Sequence, residues 1–187
     1  MKKVVLVVGV LIGMVLVAGL VMLSRNRARD KALSPESRVT LTDDEVSVGV
    51  IYCRPYKKGR QIFGGLVPYG QLWRTGANEA TVFSTSTDIQ MNGQKLESGR
   101  YQLVTIPNPD KWTIILNSDI PGWGIEQSTG KTYHNPEADV LVFEVPVEKT
   151  NNPLEQFTIS LNKEDEKISM ALQWDSTRVR FPIQKLN

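Results

Sequence analysis

From residue 46 to residue 183 the chain is built of short runs in which apolar and polar residues alternate, and these runs are broken by glycine, proline, asparagine and aspartate. A period of two with frequent turn residues predicts antiparallel sheet. Val46, Val48, Val50 and Tyr52 alternate with Ser47, Gly49, Ile51 and Cys53, as one half-buried strand requires. Further strands are expected over 81–87, 89–91, 95–96, 101–106, 112–116, 140–147, 157–161, 168–174 and 178–183. Asn92 and Gly93 supply the two positive-φ residues of a type I′ hairpin turn. Pro107, Asn108, Pro109 and Asp110 mark another reversal, and 162–166 reads as a charged tip. No amphipathic helix interrupts the series, so the expected fold is all-β, an antiparallel β-sandwich of jelly-roll-like form.

Ahead of this domain stands an uncharged stretch, residues 4–23, VVLVVGVLIGMVLVAGLVML. As a helix it would extend about 30 Å, the thickness of a bilayer's hydrocarbon core. It is apolar all round, which argues against a soluble amphipathic helix. Lys2 and Lys3 resemble the start of a secretory signal, but the run exceeds a usual signal core and no clean small-x-small site follows. Residues 1–23 are therefore expected to be a membrane anchor or uncleaved signal, residues 24–38 a polar juxtamembrane linker, and residues 39–187 the β-domain. Leu16, Val17, Ala18 and Gly19 resemble a lipoprotein box, yet Leu20 stands where the lipid-bearing cysteine would be. Arg25, Arg27, Arg29 and Lys31 outnumber the cations before the span, and that count alone would leave the domain in the cytoplasm. The signal-like start favours export, and a periplasmic or extracellular domain is the expectation.

Residues 1–38 hold seven Lys/Arg and two Asp/Glu, whereas 39–187 hold fifteen and eighteen. The basic balance thus comes from the membrane flank, where cations meet lipid headgroups, and the domain itself is mildly acidic. Nucleic acid is an unfavoured partner for such a surface. Cys53 is the sole cysteine, so no internal disulfide can form.

Against that acidic background, residues 46–78 contain no acid at all, and Arg54, Lys57, Lys58, Arg60 and Arg74 fall inside them. Gly59, Gly64, Gly65 and Gly70 allow sharp turns that bring main-chain donors close to a ligand. One reading is a loop that captures a carboxylate or phosphate; the other is a set of solvated strand ends with arginines paired to local acids. The segment WRTGANEAT is sharper. Trp73, Arg74, Asn78 and Glu79 can set a cation, an amide and a carboxylate around one cavity. Arg74 can fork onto an anion, and Glu79 can act as a base if burial raises its pKa. Equally, Arg74 and Glu79 can pair, Asn78 can cap the turn and Trp73 can fill the core.

These residues carry a resemblance. Tyr52, Arg54, Pro55, Lys58, Gly59, Arg60, the stretch from Ile62 through Gly70, WRTGANEAT, and later SGRYQLVTIP, Trp123 with Gly124, and LQWDSTRVRFPI together resemble the bacterial family DUF2911, a domain of unknown function, over about residues 39–183. The resemblance implies an envelope-associated or secreted β-domain and brings no established activity. The long anchor departs from the plain secretion signal or lipoprotein leader that the family implies.

Other motifs point nowhere specific. His134 is the only histidine, so a His-rich zinc set is excluded; it reads as a loop hydrogen-bonder or an acid/base candidate. Glu137 and Asp139 match no calcium loop. Residues 124–132, GIEQSTGKT, have five residues rather than four between their glycines and no helix to follow, which rejects a phosphate loop. No G-x-S-x-G elbow occurs, and Cys53 lies inside a strand. Trp123 can stack on a ligand or pack in the core. No cofactor or metal is expected. Three readings stay open. The first is a binding module for a small anion or an envelope protein segment through Arg54, Lys58, Arg60, Trp73, Arg74, Asn78 and Glu79. The second is a hydrolase or isomerase using Glu79 or His134 with Arg74 as anchor. The third is a structural role alone.

Overall fold

The computed structural model describes the backbone of residues 2–43, 46–165 and 167–186, with side chains from Leu11 onward. Glu166, at the expected charged tip, and Asn187, at the end of the expected domain, lie outside the described residues. The chain divides into two compact units, residues 1–33 and 34–187.

The first unit is one helix, α1 (Lys2–Leu33). It is long and apolar enough to cross a membrane, and Leu16 and Leu20 are 63% and 67% exposed along it. Residues 24–33, expected as a linker from their polarity, continue this helix. Arg, Lys, Ala and Leu are strong helix formers, and extending an existing helix needs no new nucleus.

The second unit is a single open antiparallel sheet. Its strands are β1 (Glu36–Thr42), β2 (Ser47–Cys53), β3 (Val82–Thr85), β4 (Ile89–Met91), β5 (Gln94–Leu96), β6 (Gly99–Pro107), β7 (Lys111–Asn117), β8 (Asp139–Glu164) and β9 (Lys167–Lys185). They are ordered β1-β2-β3-β6-β7-β8-β9-β4-β5. The all-β expectation holds, with one difference in construction: the layers are halves of one sheet that folds over, joined through β8. The near half of β8 pairs with β7 and the remainder pairs with β9. Tyr52 on β2 closes the fold by exchanging two hydrogen bonds with the main chain of Ile159 on the far half of β8, its hydroxyl accepting from the N–H at 2.9 Å and donating to the carbonyl at 3.3 Å.

Bulges make that turn possible. Between Lys149↔Thr177 and Thr158↔Gln173, β8 advances nine residues while β9 advances four. Extra residues on one strand of a pair bend it and increase its twist. On β9 the buried set changes parity, from Ile168, Met170, Leu172 and Trp174 to Val179, Phe181 and Ile183. The change falls at Asp175, whose φ is 52°, a left-handed conformation that aspartate tolerates better than most residues. The expected strands at 140–147 and 157–161 are thus one element, as are those at 168–174 and 178–183. β1 is an edge strand ahead of the expected domain start at residue 39. The Asn92 and Gly93 turn has the positive φ values expected, 49° and 82°, and joins β4 to β5 at Met91↔Gln94.

The apolar faces enclose one core in which Tyr52, Phe83, Leu103, Trp112, Trp174 and Phe181 are almost wholly buried. Into this core reaches the long connection between β2 and β3, residues 54–81. A connection of that length without strands of its own is uncommon in a small domain and usually serves function. Ile62, Phe63, Val67 and Trp73 pin it down.

Candidate functional site

The seven residues expected to share one centre separate into three groups, and strand geometry is the reason. Successive side chains on β2 point to opposite faces. Tyr52 and Arg54 therefore face β8, while Cys53 faces the turn that holds Glu79.

The basic stretch is knitted into β8. Arg54 donates through Nε to the Phe157 carbonyl at 3.1 Å and through a terminal nitrogen to the Thr158 hydroxyl at 2.8 Å. Its own carbonyl accepts from the Gln156 side chain at 3.0 Å. Lys57 pairs with Asp175 at 2.8 Å. Exposed Lys58 is held by its backbone N–H on the Glu155 carboxylate, and its φ of 49° makes the turn into Gly59. Arg60 folds back onto the carbonyls of Tyr56 and Lys57.

The WRTGANEAT segment turns on three left-handed positions, Thr75 (φ 54°), Gly76 (φ 154°) and Asn78 (φ 56°). Only glycine fits at 76, where a Cβ would lie 2.9 Å from the Cys53 carbonyl. Positive φ is strained for a β-branched residue such as Thr75. That strain is offset by bonds: the Thr75 hydroxyl reaches Thr105 at 3.1 Å, and its carbonyl accepts the Thr81 hydroxyl at 2.8 Å. The Asn78 amide donates to the Ser34 carbonyl, while its main-chain carbonyl accepts from Gly124. Glu79 bridges by backbone to half-buried Trp123 and accepts the Cys53 thiol at 3.3 Å through Oε2. Burial, with that hydrogen bond and the nearby carboxylate, pushes the Cys53 pKa up to about 11. The thiol is therefore a protonated donor at neutral pH, not a nucleophile.

Trp73 faces the core, while Arg74 lies beside this turn, against Gly124 and near Asn78 and Cys53. The Trp73 indole is in the core, stacked on Trp174 at 6.1 Å and edge-on to Phe157 at 5.0 Å. Its backbone pairs with Thr105 through two hydrogen bonds. This pairing sets Arg74 in the lining of a cleft of about 650 Å³, within the usual range of roughly 300–1,000 Å³ for small-molecule sites. One wall is apolar, from Leu66, Val67, Pro68 and Leu72, with Gln71 beside them. The other wall is Gly130, Lys131 and Thr132. The Arg74 stem lies so close to Gly124 that a Cβ there would stand 2.8 Å from its Cδ. Its Nε is buried without a hydrogen-bond partner, and burial pushes the guanidinium's pKa down. An arginine remains cationic in proteins, so this donor carries an unmet demand for an acceptor.

Lys131 is the residue that sequence reasoning missed. It is exposed, and among the described residues its ammonium has neither ion pair nor hydrogen bond. The finger carrying it is closed by main-chain bonds from Glu126 to the Lys131 carbonyl and from Tyr133 to that of Gly124. GIEQSTGKT is rejected above as a phosphate loop, and only the fold brings its Gly130, Lys131 and Thr132 into the same cleft as Arg74. None of Arg54, Lys58, Arg60, Asn78 or Glu79 lines the cleft.

His134 belongs to a separate polar cluster. Its Nε2 lies 2.8 Å from Asp139 Oδ1, which also accepts from Asn117 at 2.7 Å. Tyr133 donates to Asp119 at 2.7 Å. Among the described residues no three His, Cys, Asp or Glu side chains gather as a metal site.

Fold and site together define an antiparallel β-domain, preceded by an apolar helix, whose long β2–β3 connection frames a cationic cleft. Residues 34–183 match the family described as "Protein of unknown function (DUF2911)", and the chain belongs to that family. Comparison with curated proteins and with solved structures finds no match.

Proposed function

We propose that this is a binding module for a small organic or inorganic anion, taken into the cleft between Arg74 and Lys131. One observation carries the reading: half-buried Arg74, whose guanidinium has no hydrogen-bond or ion-pair partner among the described residues, lines an open cleft. A partly buried guanidinium without acceptors is costly, and an anion on its terminal nitrogens would give it charge-assisted, shorter hydrogen bonds. No acid is among the residues that line the cleft, so nothing on its walls opposes a negative ligand. The reading is of binding rather than turnover, since the Cys53 thiol is held protonated and engaged with Glu79. In this reading α1 holds the domain at a membrane, on the exported side favoured by the signal-like start; protease added to spheroplasts would digest the domain there and spare it if it were cytoplasmic.

The binding test is isothermal titration of the full chain in lipid nanodiscs with inorganic phosphate, succinate, benzoate and hexanoate. At least one should bind, and Arg74→Met should weaken it about 10- to 100-fold, the worth of one or two charge-assisted hydrogen bonds. A flat response to all four, or unchanged affinity in Arg74→Met, sinks the proposal.

A further inference from the structure

The lining of the cleft is mixed: two cations, Arg74 and Lys131, stand among a larger set of hydrocarbon side chains. Leu66, Val67, Pro68, Leu72 and Trp73 supply that hydrocarbon. A site built only for phosphate or a small dicarboxylate would surround it with donors, not with aliphatic carbon. The exposed surface repeats the point. Four large apolar side chains of the β-domain remain exposed among the described residues, Leu66, Tyr69, Val140 and Val142, and two of them sit on this one loop. Leu66 is 46% exposed at the mouth of the cleft. The Tyr69 ring packs on Gly64, where a Cβ would stand 2.7 Å away. Apolar groups held open by a rigid turn and rimmed by polar ones mark a surface that something covers.

Main-chain recognition is the alternative way to use such a cleft, and six of its ten lining residues offer no N–H for it. The N–H groups of Leu66, Val67, Trp73 and Gly130 are bonded within the domain, that of Lys131 is bonded to the Thr129 hydroxyl, and Pro68 has none. An extended peptide, which binds by pairing its backbone with free main-chain groups, would be confined to the N–H groups of Gln71, Leu72, Arg74 and Thr132. A simple chain with a charged head needs none.

We infer that the ligand of this cleft is an amphipathic carboxylate, an alkyl chain lying on Leu66, Val67, Pro68 and Leu72 with its head on Arg74 and Lys131. The inference rests on the anion-binding reading above and adds the apolar half of the ligand.

Equilibrium dialysis of the full chain in nanodiscs against labelled acetate, butyrate, hexanoate and octanoate tests it, with binding to empty nanodiscs subtracted. Affinity should rise roughly three- to fourfold per methylene buried, as apolar transfer predicts. Leu66→Ser, at an exposed position that leaves the core intact, should flatten that rise, and Arg74→Met should lower every member by a similar factor. Three controls read the failures apart. If acetate and phosphate bind as tightly as octanoate and all depend on Arg74, the anion site stands and the amphipathic ligand is wrong. If octanol binds as well as octanoate, the cleft is merely greasy and both readings fall. If an acetylated peptide ending in leucine binds well above octanoate, the alkyl assignment is overturned in favour of a polypeptide terminus.

Discussion

Arg54 and Arg74 lie on one loop, flank the same cysteine-bearing strand end, and look alike in the sequence, yet the fold treats them oppositely. Arg54 finds a carbonyl and a hydroxyl on β8 waiting for it. Arg74 has its stem clamped against Gly124 and its Nε buried with no acceptor. The first arginine is a strut across the folded sheet; the second is an unfilled demand. What separates them is invisible to charge counting, because the acceptors that satisfy Arg54 are main-chain and hydroxyl groups more than a hundred residues away.

Parallel substitutions break or sharpen this comparison. The largest expected contrast is in binding: Arg74→Met should lower anion affinity by one to two orders of magnitude, while Arg54→Met should leave it within about twofold, both read by titration of the full chain. Equal losses in the two variants would mean that the loop acts as one electrostatic patch. The next contrast is in stability, with its sign reversed. Arg54→Met strands the Phe157 carbonyl and should cost about 2 kcal/mol. Arg74→Met removes an unsatisfied buried donor while keeping the aliphatic stem, so stability should hold or rise by up to about 1 kcal/mol. Urea unfolding followed by tryptophan fluorescence gives both values, and a loss at Arg74 as large as at Arg54 would make it a second strut.

The fold was legible where residues act locally. Asn92 and Gly93 announced their hairpin because few other pairs accept two positive φ values, and the apolar alternation located β2, β6 and β7 within a residue or two. What escaped was structure decided elsewhere in the chain. Residues 148–156 read as a connection because Asn151, Asn152 and Pro153 suppress strand pattern, yet they form the bulged middle of β8, supported by β9 alongside. Residues 24–33 lack an apolar stripe, and they are helical because a helix already precedes them. In the site, Trp73 and Arg74 were recognised from their own neighbours. Lys131 was not, since only the packing of the 124–133 finger on the β2–β3 connection brings it to the cleft. Arg54, Lys58 and Arg60 were grouped with Arg74 by proximity in sequence, and the alternation of β2 sends Arg54 to the opposite face.

Cys53 sits between the two arginines and supplies the finest discrimination, through pH. Burial and the Glu79 carboxylate raise its pKa from an ordinary value near 9 to about 11. A raised folded pKa means that the native state holds the proton more firmly than the unfolded chain. The resulting stabilisation is complete below pH 9 and fades as pH climbs through about 11. Native Cys53 should thus resist iodoacetamide at pH 8 and unfold more readily at pH 10.5 than at pH 8. Cys53→Ala should lose part of that pH dependence, with other alkaline titrations common to both proteins. The comparison is made as the difference in urea midpoint between wild type and variant at each pH. If the two curves run parallel from pH 8 to 10.5, the thiol is not held by Glu79, and the WRTGANEAT turn loses its anchor on β2.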